Sequence, residues 1–211
     1  MKQKKLILTV VFIFPLIWFF SSYLSFRYSG CCDLNCQESV SLQDGDLVFR
    51  CGKSIESYTV SLADKAGEYS HVGLIKMKGR VPYVIHAEPG ESPLESRPVK
   101  LEPLSAFLCA EKASHYAIYR SALGQDALRK VMKRAMSFYT SRRCFDTSFD
   151  LTDDSRVYCT ELVLKSYQSV NPEIIRLTDN LSEVNLLTSK QKVLLPGALI
   201  KSTFFHQIFK Q

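Results

Sequence analysis

The 211-residue chain carries 27 Lys plus Arg against 21 Asp plus Glu, and 46% of it is apolar, proportions that suit one globular domain of ordinary size. Disorder, a collagen-like fibre and a disulfide-dense miniprotein are excluded. Lys2, Lys4 and Lys5 supply half of the net charge of +6, so the remainder is only weakly basic and nucleic acid is not an expected partner.

Residues 1–27 read as a signal or membrane-anchor segment. Leu6 to Phe26 is an unbroken run of 21 uncharged, mostly apolar residues, long enough to cross a bilayer. The three lysines before it favour the cytoplasmic side, which sends everything after Arg27 outwards. Tyr28-Ser29-Gly30-Cys31 resembles a bacterial lipoprotein cleavage box, so retention, cleavage and lipid attachment all stay open. The expected location is membrane-anchored or exported, outside the cytoplasm, in a bacterial envelope.

Residues 28–40 are polar and read as a linker. Cys31, Cys32 and Cys36 cluster there, where an oxidising compartment permits pairing, although seven cysteines must leave one thiol over. The cluster has neither a C-x-x-C pair nor a nearby histidine. Asp150, Asp153 and Asp154 miss the spacing of an EF-hand and read as a solvated loop. No metal and no cofactor is expected.

Residues 41–211 read as the folded domain. Gly45-Asp46 enters a short apolar strand at Leu47 to Phe49, and Ser54 to Ala66 permits a short helix. His71 to Met77 and Val81 to Glu88 are β-rich runs joined at Lys78-Gly79, the pattern of a hairpin. Glu91 to Pro103 holds three prolines and reads as a loop, and Tyr116 to Tyr119 as a strand. Gln125 to Thr140 spaces Leu128, Val131, Met132, Ala135 and Met136 along one side of a helix, leaving Arg129, Lys130, Lys133 and Arg134 for solvent.

Chemistry enters at Cys159, at the start of a helical stretch that Asn171-Pro172 should stop. A thiol there meets unpaired backbone N–H groups and the positive end of the helix dipole, which favour a thiolate and can hold an oxyanion. A nucleophilic thiol needs a base, and His71, His86, His115 and His206 are available. If Met77 pairs with Arg80 across the hairpin, His71 falls directly opposite His86, with Glu88 as diagonal neighbour on the same face.

Gly45-Asp46-Leu47-Val48-Phe49-Arg50, Tyr69-Ser70-His71-Val72-Gly73, Tyr83-Val84-Ile85-His86-Ala87 and Tyr158-Cys159-Thr160-Glu161-Leu162-Val163 resemble, in this order, the permuted papain-like cysteine amidases of the YaeF/YiiX type, within the NlpC-like hydrolases. Phe145-Asp146-x-x-Phe149-Asp150 is also similar. The resemblance implies an α+β fold, circularly permuted papain-like, with an antiparallel sheet packed against helices and the nucleophile at a helix N-terminus. It implies Cys159 as nucleophile, His71 as base and the polar residue on the next strand as the orienting group, here His86, with Glu88 as the alternative. Members of the YiiX type often carry Glu where this chain has His86, and a His there is reminiscent of the lecithin:retinol acyltransferase relatives.

The leading expectation is a cysteine amidase or peptidase that forms an acyl-thioester on Cys159, acting on an amide-containing substrate such as peptidoglycan peptides. A lipid-directed acyltransferase or thioesterase is the second, motivated by His86, the membrane segment and the Phe204-Phe205-x-x-Ile208-Phe209 cluster. A non-catalytic envelope binding module is the third.

Overall fold

The computed structural model describes residues 40–64, 67–89, 98–185 and 190–211. The apolar N-terminal segment, the cysteine-rich linker as far as residue 39 and most of the proline-containing stretch lie outside the described residues.

In chain order come β1 (Leu47–Gly52), α1 (Ile55–Ala63), β2 (His71–Lys78), β3 (Val81–His86), β4 (Lys100–Pro103), α2 (Leu104–Phe107), β5 (Ala113–Ser121), α3 (Gln125–Thr140) and α4 (Cys159–Gln168). A 3-10 segment (Pro172–Asn180), β6 (Ser182–Asn185), β7 (Lys190–Val193), α5 (Pro196–Ile200) and β8 (Phe205–Lys210) follow. Six strands form one antiparallel sheet in the order β4-β3-β2-β1-β5-β8, and β6 pairs with β7.

Strand alternation divides the buried side chains between two faces. Leu47, Phe49, Val72, Leu74, Ile85, Ala117 and Tyr119 join the core built with α3 and α4, which contribute Val131, Met132, Phe138, Leu162, Val163 and Tyr167. Val48, Ile75, Val84 and Ile118 belong to a smaller core closed by Leu104, Phe107 and Leu108. Full burial of a side chain such as Leu162 or Val131 is worth about 1.5–3 kcal/mol, so the periodic apolar stripe on α3 fixes that helix to the sheet. Its Arg129, Lys130 and Lys133 are exposed, as the stripe predicts.

Asp46 shapes the entry to β1, as its position before the strand implies. Its buried carboxylate accepts the Gln43 N–H at 2.9 Å and receives Nε and Nη2 of Arg120 at 2.8 and 2.7 Å. Gly45, at φ +88°, stands against the Leu128 side chain, and its carbonyl accepts the Tyr167 hydroxyl at 2.6 Å. This turn therefore ties β1 to both α3 and α4.

The hairpin register differs from the expected one by two residues. Lys78 pairs with Val81 and Met77 with Pro82, so Gly79 and Arg80 form the loop. Gly79 has φ +63° at the first loop position, where a type II′ turn wants glycine; placing Lys78 in that loop would ask a lysine for the left-handed conformation. A two-residue slip keeps every side chain on its face. Continuing the count past the last pair, Leu74 with Ile85, sets His86 opposite Gly73 and His71 opposite Glu88.

One further expectation changes. Lys100–Pro103, read as loop, is the edge strand β4, paired with β3 from His86–Lys100 to Tyr83–Pro103; an edge position tolerates the proline that argued against a strand. The C-terminal aromatic cluster is core packing. Phe205 is buried in the main core with Phe204 against it, while Ile208 and Phe209 pack on the smaller core.

Candidate active site

Tyr158 is extended and precedes the first residue of α4, Cys159. Several contacts fix this junction. The Glu161 carboxylate accepts the Tyr158 N–H at 3.0 Å, Thr160 Oγ1 donates to the Leu194 carbonyl at 2.5 Å, and the Leu194 N–H donates to the Tyr158 hydroxyl at 3.3 Å. Phe149, held at φ +54°, packs edge-on against the Tyr158 ring at 5.2 Å. Buried Asp146 organises that loop by accepting the N–H groups of Ser148 and Asp150 at 2.8 and 2.7 Å. The Phe-Asp-x-x-Phe-Asp stretch thus builds the support beneath the cysteine.

Cys159 is half-buried as a residue, with protein packed closely around its thiol. Burial pushes its thiol up to about 11, while the backbone N–H groups of Val72, Thr160 and Cys159 and the charge of Arg50 pull the other way. Desolvation of the charged sulfur outweighs the amide donors, so the shift runs against the thiolate that a helix start favours. Val72 follows His71 directly on β2, so its contact with the thiol brings the start of α4 to the start of that strand.

His71 Nε2 lies 2.9 Å from His86 Nδ1, with the rings 5.1 Å apart and nearly perpendicular. Both rings are buried, and burial holds both below the ordinary histidine value, His71 well below, with Arg50 adding to the effect on each. The pair is therefore neutral at pH 7. Phe107 packs on both imidazoles, at 5.5 Å from His71 and 4.9 Å from His86. Arg50 also meets Phe107, its guanidinium 4.3 Å from the ring centroid and Nη1 donating to the Phe107 carbonyl at 2.7 Å.

Glu88 is engaged elsewhere. Its carboxylate takes Arg50 Nη2 at 2.8 Å and Lys100 Nζ at 2.6 Å. Burial raises its pKa, but those cations outweigh it and hold the group below the usual carboxylate range. His115 bonds the Glu68 carbonyl at 2.9 Å, and His206 lies in β8 opposite Arg120.

Sequence reasoning missed Glu102. Its Oε1 is 3.0 Å from His86 Nε2, and its Oε2 receives Lys112 Nζ at 3.1 Å. The His86 contact is bent, closer to an ion–dipole meeting than to a straight hydrogen bond. Once β4 pairs with β3, alternation puts Glu102 on the same face as His86, but the three prolines concealed that strand. Gly73 was also missed. A Cβ there would meet Val84 Cγ1 at 2.3 Å and His86 Cβ at 3.1 Å, so its bare backbone is what admits the His86 ring.

Asp150 and Asp153 accept from Thr152 and Ser155 in local turns, and Asp154 pairs with Lys165 and Arg134. They form the solvated loop that their spacing implied.

Residues 41–205 match the profile of the permuted papain-like amidase enzyme, YaeF/YiiX, C92 family. The chain belongs to that family. The family is described as one of permuted papain-like amidases. The uncharacterized protein YiiX of Escherichia coli (strain K12) is 31% identical over 132 residues, 60% of this chain and 58% of that protein, so the match spans little more than half of the relative's length. A crystal structure of the metalloprotein YiiX from Escherichia coli O157:H7 superposes with a TM-score of 0.61 at 24% identity, covering 80% of this chain and 97% of that one. The likeness extends the family's fold to this chain: a mixed α+β, permuted papain-like domain in which the histidine strands precede the cysteine helix. Among the described residues, no group of three or more His, Cys, Asp or Glu side chains converges as metal ligands would.

Proposed function

We propose that this chain hydrolyses an amide bond through an acyl-thioester on Cys159, with His71 as general base and acid and His86 as the group that orients it. The 2.9 Å meeting of His71 Nε2 with His86 Nδ1 carries the reading. It leaves Nδ1 as the free ring nitrogen of His71, which this reading assigns to the thiol because the next residue on the strand, Val72, offers its N–H to that thiol.

The steps follow from these roles. His71 Nδ1 takes the thiol proton as Sγ adds to the carbonyl carbon, and the amides at the start of α4 stabilise the oxyanion. Collapse breaks the C–N bond, the departing amine takes the proton from His71, and a thioester remains. Water then gives His71 a proton as it attacks the acyl carbon, the C–S bond breaks, and the proton returns to sulfur. Because the resting pair is neutral, the proton moves with the attack and no preformed thiolate is required.

For substrate we propose peptidoglycan stem peptides, met outside the cytoplasm by a domain that residues 1–27 anchor or export. The 21-residue apolar run behind three lysines supports that address, and the amidase family supports the bond. The test is incubation of the full chain with muropeptides and, separately, with acyl lipids, followed by mass analysis of products. Released peptide fragments that disappear in Cys159→Ala and His71→Ala support the reading. Acyl loss or transfer from the lipids alone would assign lipid-directed chemistry instead, and neither product from the folded wild type would leave a binding module.

A further inference from the structure

We propose that Glu102 is a positioning residue that sets, through His86, which nitrogen of His71 faces the thiol. The inference rests on the hydrolase reading above and adds a residue that lies outside the motifs.

One line of contacts runs from Glu102 through His86 to His71. A carboxylate has only acceptors, and a bare Nε2 lone pair 3.0 Å from Glu102 Oε1 would be repelled, so the contact favours a hydrogen on His86 Nε2 even though it is bent. Buried neutral His86 then has a bare Nδ1, and the 2.9 Å contact requires His71 Nε2 to donate to it. Neutral His71 in turn has a bare Nδ1, the form that can accept the Cys159 proton. Burial favours a protonated Glu102, but His86 and Lys112 outweigh it and bring the group to about 2, so the acceptor is present across the physiological range. Lys112 on Oε2 also fixes the carboxylate, which leaves Oε1 turned toward His86.

Reversal is the alternative. Without an acceptor at Nε2, His86 can carry its hydrogen on Nδ1 and donate to His71 Nε2. His71 then holds its hydrogen on Nδ1, facing the thiol with a donor where the chemistry needs an acceptor. The carboxylate of Glu102 is engaged by His86 and Lys112, so a role acting through His86 places the loss on the rate of the chemical step and not on substrate binding.

The experiment compares the full chain, wild type, Glu102→Ala, Glu102→Leu, Glu102→Gln and Cys159→Ala, in muropeptide kinetics and in long-range nitrogen-15 spectra of labelled histidines. Wild type is expected to show His71 and His86 both with hydrogen on Nε2. Glu102→Ala should show mixed tautomers on both rings and a kcat lower by roughly ten- to a hundred-fold, with KM within about two-fold. Glu102→Leu gives the same readout if the smaller side chain does not fold. Glu102→Gln keeps an acceptor oxygen and should restore the tautomers and part of the rate. Unchanged tautomers and kcat in both Glu102→Ala and Glu102→Leu, beside an inactive Cys159→Ala, would overturn the role of Glu102 alone. Full activity in Cys159→Ala would overturn the hydrolase reading beneath it.

Discussion

Gly73 makes room for His86: a methyl group on Gly73 would stand 3.1 Å from His86 Cβ and 2.3 Å from Val84 Cγ1. The two residues face each other across β2 and β3, and the ring contact between His71 and His86 depends on that missing side chain. Gly73→Ala is therefore expected to cost about 1–3 kcal/mol through overpacking and to lower kcat by displacing His86. Denaturant unfolding and steady-state kinetics on the same preparation check both parts; a variant with wild-type stability and rate would contradict them.

The thiol should behave as a buried one. With its pKa near 11, roughly one resting molecule in 10,000 carries a Cys159 thiolate at pH 7. Alkylation of Cys159 by iodoacetamide, followed by peptide mapping, should rise steadily from about pH 6 to about pH 9 without levelling. A plateau reached below about pH 7 would mean a preformed ion pair and a different proton inventory.

Much of this organisation is legible in the sequence because a two-residue error of register leaves each side chain on its face, where a one-residue error would not. The expected hairpin was two residues out, yet His71 and His86 stayed on one face, since a strand repeats every two residues. The α3 stripe was legible from its own helical period. What escaped detection depends on a third strand or on balance. Glu102 becomes visible only when β4 is recognised, and its proline-containing sequence argues against a strand. The direction of the Cys159 shift is a contest between burial and amide donors, and sequence supplies the donors but not the depth.

Glu161 gives a signed dependence on pH. Burial lifts its carboxyl from 4.5 to about 7, although Lys165 and the Tyr158 N–H pull it down. A folded-state value above the unfolded one means that the protonated group's contribution is complete below about pH 4.5 and is lost as pH rises through about 7. Glu161→Gln keeps an acceptor for Tyr158 and has nothing to ionise. Its stability should gain on wild type by about 1–3 kcal/mol between about pH 5 and pH 8, measured by denaturant unfolding. A constant difference, or one of opposite slope, would contradict the assignment.

Asp46 separates stability from chemistry. Asp46→Asn leaves the guanidinium of Arg120 beside a neutral group in a buried turn, and is expected to destabilise the fold by about 3 kcal/mol. Rate per folded molecule should stay at the wild-type value, since Asp46 sits with Arg120 and Gln43, away from the histidine pair. A kcat loss in fully folded protein would place Asp46 in the chemistry after all.

The most direct measurement is the mass of Cys159 itself. The full chain, exposed briefly to muropeptides and quenched in acid, should yield one cysteine peptide carrying the acyl part of the substrate as a thioester that hydroxylamine removes. The adduct should be absent in His71→Ala. Product formation at the wild-type rate with Cys159 replaced by alanine would contradict the account.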